Sequence, residues 1–132
     1  MTELTAADGH AETELHAASW AGDIELVTQL LQGGSDVNVQ DSIGESPLHG
    51  AAALGRTNMV NFLLSHGANP DIKNHDGNTP LHWACSHGNE NTVEILISNG
   101  ASLIPNGNGK SPLEIAKQHN KQSIIAWLKN NT

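Results

Sequence analysis

Eight histidines and one cysteine are the side chains best suited to chemistry in this chain of 132 residues. His82, Cys85 and His87 lie close together, as metal ligands often do. A structural zinc site, however, needs four deprotonated ligands converging tetrahedrally. The nucleophile and metalloprotease signatures G-x-S-x-G and H-E-x-x-H do not occur. NGNGKS (106–111) has the glycines and lysine of a phosphate loop. It lacks the P-loop spacing, and no apolar strand precedes it. Glu12 and Glu14 are paired carboxylates with no cleft attached. No catalytic residue, no metal site and no cofactor are expected.

Three of the histidines share one cause. TELHAA (13–18), SPLHGA (46–51), TPLHWA (79–84) and SPLEIA (111–116) carry Leu15, Leu48, Leu81 and Leu113, spaced by 33, 33 and 32 residues. Gly22, Gly55 and Gly88 each follow their leucine by seven residues, and Asn120 takes that place in the last copy. Leu30-Leu31, Leu63-Leu64 and Leu96-Ile97 keep step, followed by Leu128. So do Gly34, Gly67 and Gly100. Several markers in one register define a repeat. His16, His49 and His82 occupy one position of it.

Each marker has a physical reason. Ser46, Thr79 and Ser111 suit an N-cap, and the prolines after them suit the first helical position. A short first helix follows, with small residues (Ala51, Ala52, Ala84) that let backbones approach. Gly22, Gly55, Gly88 and Asn120 are expected to end it in the left-handed conformation. Apolar residues at helical spacing predict a second helix: Met59, Val60, Leu63 and Leu64 in one copy, Val93, Leu96 and Ile97 in the next. A polar, turn-rich stretch such as NPDIKNHDGN (69–78) leads to the next copy.

A 33-residue period carrying T-P-L-H-x-A resembles the ankyrin repeat. GGSDVNVQD (33–41) and SHGANPDIKN (65–74) are similar to that family's loop. The resemblance covers roughly residues 8–130. It implies an all-α solenoid: stacked pairs of antiparallel helices joined by hairpin-like loops. The repeats fall at about 8–40, 41–73, 74–106 and 107–130, after an extension over 1–7, in one domain spanning 1–132. It also implies that His16, His49 and His82 bond around the Ser/Thr-Pro turn and tie neighbouring loops. Glu14 replaces proline in the first copy and Glu114 replaces histidine in the last, as capping repeats with polar outer faces would require.

Aromatic residues make up only 3%, with no tyrosine, which suits thin aliphatic layers. The formal net charge is −8, from 6 basic and 14 acidic residues. That disfavours nucleic acid and anionic membrane surfaces as partners. The acidity is lopsided. Residues 1–66 hold nine acids and one base, whereas residues 67–132 hold five of each. Either the acids form a solvated face or they attract a basic partner. A lone cysteine and a polar N-terminus without a basic, apolar leader point to a cytoplasmic or nuclear protein.

Framework residues are committed to stacking, so binding falls to the loop tips and the solvent-facing end of the first helix. In the ankyrin family these line a concave surface on which partners dock. By register the loop candidates are Gln40, Ser42, Ile43 and Glu45, then Lys73, His75, Asp76 and Asn78, then Asn106, Asn108 and Lys110. The helix candidates are Trp20-Ala21, Ala53-Leu54, Ser86-His87 and Gln118-His119. Trp20, Ile43 and Leu54 are apolar where the framework does not demand it. They are either scattered surface hydrophobes or an anchor site rimmed by Glu12, Asp41 and Glu45. Trp83 and Trp127 are expected to pack.

The function expected is a protein–protein interaction module, an adaptor, scaffold or inhibitor, binding a partner segment on its concave face. The partner would be another protein, a basic segment with an apolar anchor. The chain should be a monomer when free. The alternative is a structural or targeting subunit of a larger complex, with no peptide groove of its own. Asn38, in LLQGGSDVNV, resembles the ankyrin-loop context in which an asparaginyl hydroxylase acts in animals. It is therefore a candidate for hydroxylation; the other reading is that it braces the loop.

Overall fold

A computed structural model describes residues 13–132. Glu12 and the 1–7 extension lie outside the described residues. Among these residues eight helices follow one another: α1 (Glu14–Ala21), α2 (Ile24–Gln32), α3 (Pro47–Ala53), α4 (Thr57–Ser65), α5 (Pro80–His87), α6 (Glu90–Ser98), α7 (Pro112–Gln118) and α8 (Gln122–Asn131). No strand occurs among the described residues. Each consecutive pair packs together, and the pairs stack side by side. The first helices α1, α3, α5 and α7 approach their neighbours more closely than the second helices do. The stack therefore bends toward the first-helix layer, which is its concave side.

Small residues permit that approach. Ala18, Ala51, Ala84 and Ala116 are buried at one repeat position, and Ser19, Ala52 and Cys85 are buried at the next. Lys117 holds that second position in the fourth repeat and is exposed, on the side away from the third. Between the two layers lie Leu15, Val27, Leu48, Met59, Val60, Leu63, Leu81, Val93, Leu96, Ile124 and Leu128, all buried. Trp127 is half-buried and packs against this core.

The caps follow the sequence with one departure. Gly22, Gly55 and Asn120 adopt φ of 79°, 67° and 59°. After them Asp23, Arg56 and Lys121 donate back to the carbonyls of Ala18, Ala51 and Ala116, closing Schellman-type ends. Gly88, expected to do the same, is extended at φ −87°, ψ −154°. There α5 runs further than α3, and Asn89 begins α6 directly, its side chain accepting from Thr92 N–H. Glycine is still required at 88, since a Cβ would sit 2.6 Å from the Ala52 carbonyl oxygen.

Candidate functional site

The loops on the concave side are built from one repeated device. Asp41, Asn74 and Asn106 each turn the chain through a side-chain oxygen that accepts two backbone N–H groups. Asp41 Oδ1 accepts from Ile43 and Glu45, Asn74 Oδ1 from Asp76 and Asn78, and Asn106 Oδ1 from Asn108 and Lys110. Neighbouring tips are then tied by backbone bonds. His75 N–H donates to Ile43 O (3.0 Å), and Gly107 N–H donates to Asp76 O (2.8 Å).

The repeat histidines lock this row to the helices. The Nδ1 atoms of His16, His49 and His82 accept the N-cap N–H of Thr13, Ser46 and Thr79 at 3.1, 3.0 and 3.1 Å. Accepting there leaves the proton on Nε2. That nitrogen donates to the next loop: to Glu45 O (2.8 Å), Asn78 O (2.8 Å) and Lys110 O (3.0 Å) respectively. Burial holds the pKa of His49 and His82 below the ordinary imidazole value. These rings are structural ties. Burial also pushes the Cys85 thiol up to about 12, so it is no nucleophile.

Trp20, Ile43 and Leu54 differ in exposure. Ile43 and Leu54 are exposed, at 59% and 58%. Ile43 lies in the loop before α3 and Leu54 at the far end of α3, about 10 Å of helix apart. Trp20 is half-buried, with its indole over Gly50. Of the acidic rim expected beside them, Glu12 lies outside the described residues, and Asp41 and Glu45 are drawn into the scaffold. Asp41 and Glu45 are only 7% and 9% exposed. The Glu45 carboxylate accepts from Asn74 Nδ2 (2.6 Å) and Trp83 Nε1 (3.1 Å), which holds it in the scaffold. Both acids sit in the turn itself, where their oxygens are needed by backbone and neighbouring amides.

The other loop candidates divide in the same way. Gln40 braces two loops, its Nε2 donating to Gly44 O and Lys73 O (both 2.9 Å). Ser42, Lys73, His75 and Asp76 are exposed at the tips, and Asn78 is half-buried. Ser86 is buried, its hydroxyl donating to Trp83 O (3.1 Å).

Asn78, Ser86 and His87 are brought together. They line a groove of about 260 Å³ on the concave side of the third and fourth repeats, with Trp83, Asn106 and Lys110. Ile115, Gln118 and His119 close its other wall. The rings of Trp83, His87 and His119 form a chain along it, with centroids 5.6 and 5.4 Å apart. The sequence register offered these residues singly. Trp83 and His87 stand four apart on α5, a spacing visible in the sequence, but the His87–His119 pairing that extends the chain arises between α5 and the end of α7 and no spacing marked it.

Asn38 is half-buried between two loops. Its Oδ1 accepts from Asn69 N–H (2.8 Å), and its Nδ2 donates to Gly67 O (3.2 Å). Asp71, one repeat on, does similar work on Ser102.

A family model described as ankyrin repeats (3 copies) matches residues 15–106 and 67–132. A search of curated proteins finds no match.

Proposed function

The chain belongs to the ankyrin-repeat family, and on that premise we propose that it is an adaptor, scaffold or inhibitor that docks a partner protein segment on its concave face. Ankyrin repeats are protein–protein interaction modules. The observation that carries the finer reading is the groove over α5 and α7: it is concave, and His87, Asn108, Lys110, Gln118 and His119 present exposed side chains along it that the framework does not consume. Partner recovery by affinity purification, followed by binding measurements, tests it. His87→Ala with Gln118→Ala on the concave side should weaken binding at least about tenfold. Glu94→Lys, on the outer helix α6, should leave it unchanged. The reverse pattern would place the interface on the convex side and overturn the reading.

A second reading keeps the docking site on the first two repeats and makes the partner a basic segment with an apolar anchor. The exposure of Ile43 and Leu54 favours it. So do Glu14, Asp23, Glu25 and Asp36, which are exposed on the same half.

A further inference from the structure

Resting on the concave-face reading, we propose that the groove between the third and fourth repeats takes an acidic, carboxylate-bearing segment of the partner. The chain carries 14 acidic residues against 6 basic ones, yet no Asp or Glu lines this groove, while Lys110, His87 and His119 do. Asp76 and Glu114, close by in sequence, are outside the lining. Glu45 reaches the groove wall only through Trp83, and its carboxylate is occupied by two donors and almost fully buried. In an acidic protein, a concave surface without acids is where a negative segment meets least repulsion.

The donors are held in place. The backbone of Lys110 is fixed at both ends, its N–H on Asn106 Oδ1 (3.0 Å) and its carbonyl on His82 Nε2 (3.0 Å). Its ammonium is therefore presented from a rigid base. Ser86 Oγ, whose hydrogen goes to Trp83 O, accepts from His87 Nδ1–H (2.7 Å), which fixes the ring in the groove wall; its Nε2 donates to a carboxylate in the imidazolium form. Behind these groups the Trp83–His87–His119 chain offers ring surface for an apolar residue beside the carboxylate.

The test is selection of short random peptides, displayed on phage, against the whole chain. Recovered sequences should be enriched in Asp and Glu over Lys and Arg. Synthetic copies should bind Lys110→Glu at least about tenfold more weakly than wild type, because attraction becomes repulsion. The His87→Ala/His119→Ala pair should weaken them too. Lys110 is exposed and its bonds are made by backbone, so an unchanged melting temperature should accompany the loss. Acidic peptides that bind Lys110→Glu as well as wild type would overturn the proposal. Basic peptides lost on Leu54→Ala would overturn it while leaving concave docking standing. Peptides lost only on Glu94→Lys would overturn both.

Discussion

The indole of Trp20 occupies the space that a side chain at position 50 would need: a Cβ built on Gly50 overlaps the ring. One repeat later position 50 becomes Trp83, and position 20 becomes Ala53. The bulky residue has moved from the end of one first helix to the middle of another. The glycine in α3 and the tryptophan in α1 are thus one packing unit.

That pairing predicts a change of sign. Gly50→Ala alone should destabilise by about 1–3 kcal/mol, since overpacking displaces the indole. In a Trp20→Ala background the same substitution should stabilise by about 0.5–1 kcal/mol, the ordinary preference of a helix for alanine over glycine. A double-mutant cycle by urea unfolding measures both. Additive effects would show that the two residues are not coupled.

The framework was legible because it recurs. Leucine, histidine and glycine at a 33-residue spacing each answer a local demand met once per copy, and repetition exposes it. The Gly50–Trp20 and Trp83–Glu45 contacts occur once each, between residues far apart in sequence, so no register announced them. The loop acids misled for a related reason. Asp41 and Glu45 look like surface charge, but each sits where a turn needs an acceptor. Gly88 shows the converse. Its marker was right, but its cause is close approach to Ala52 and not a left-handed backbone.

Stability should depend on pH through His49 and His82. Unfolded, each titrates near about 6.5. Folded, burial lowers both. Between the two values the unfolded chain binds more protons, so stability rises with pH across that window and falls on acidification from above about 6.5. The slope is at most about 1.4 kcal/mol per pH unit for each histidine. Urea midpoints from pH 8 to 5.5 measure it, and His82→Asn should flatten its share. A profile identical in wild type and variant would show that the buried imidazole does not carry the effect.

Cys85 should resist modification. Its thiol is fully buried and its pKa is pushed up to about 12. At pH 8 a maleimide should label the native protein slowly and the urea-unfolded protein at once. Labelling should accelerate with urea in step with loss of helix. Rapid labelling of the native state would mean that the α5–α7 interface opens on its own.

Asn38→Ala should cost about 0.5–1.5 kcal/mol, the net worth of its bonds to Asn69 and Gly67. Hydroxylation at its Cβ would leave the amide free to keep both bonds, and we retain that modification as a proposal. Intact mass of the native protein should show one added oxygen on the peptide containing Asn38. Its absence would dispose of the idea.

The last repeat predicts an asymmetric swap. Glu114 stands where the other repeats place histidine, and its Oε1 accepts Ser111 N–H (2.9 Å) as the Nδ1 atoms do elsewhere. That bond holds its pKa below the usual carboxylate value. Among the described residues Glu114 bonds only within its own turn, to Ser111, and makes no tie to another loop. Glu114→His should therefore leave the urea midpoint and the melting temperature essentially unchanged, since the site is exposed and either residue can cap. His82→Glu is different. The carboxylate could still cap Thr79, but Lys110 O would lose its donor and a charge would enter a buried site. A cost of at least about 3 kcal/mol is expected. Thermal and urea unfolding of the two single variants decide it. Equal losses would mean that the histidine serves only as a cap and that the Nε2 tie between repeats contributes nothing.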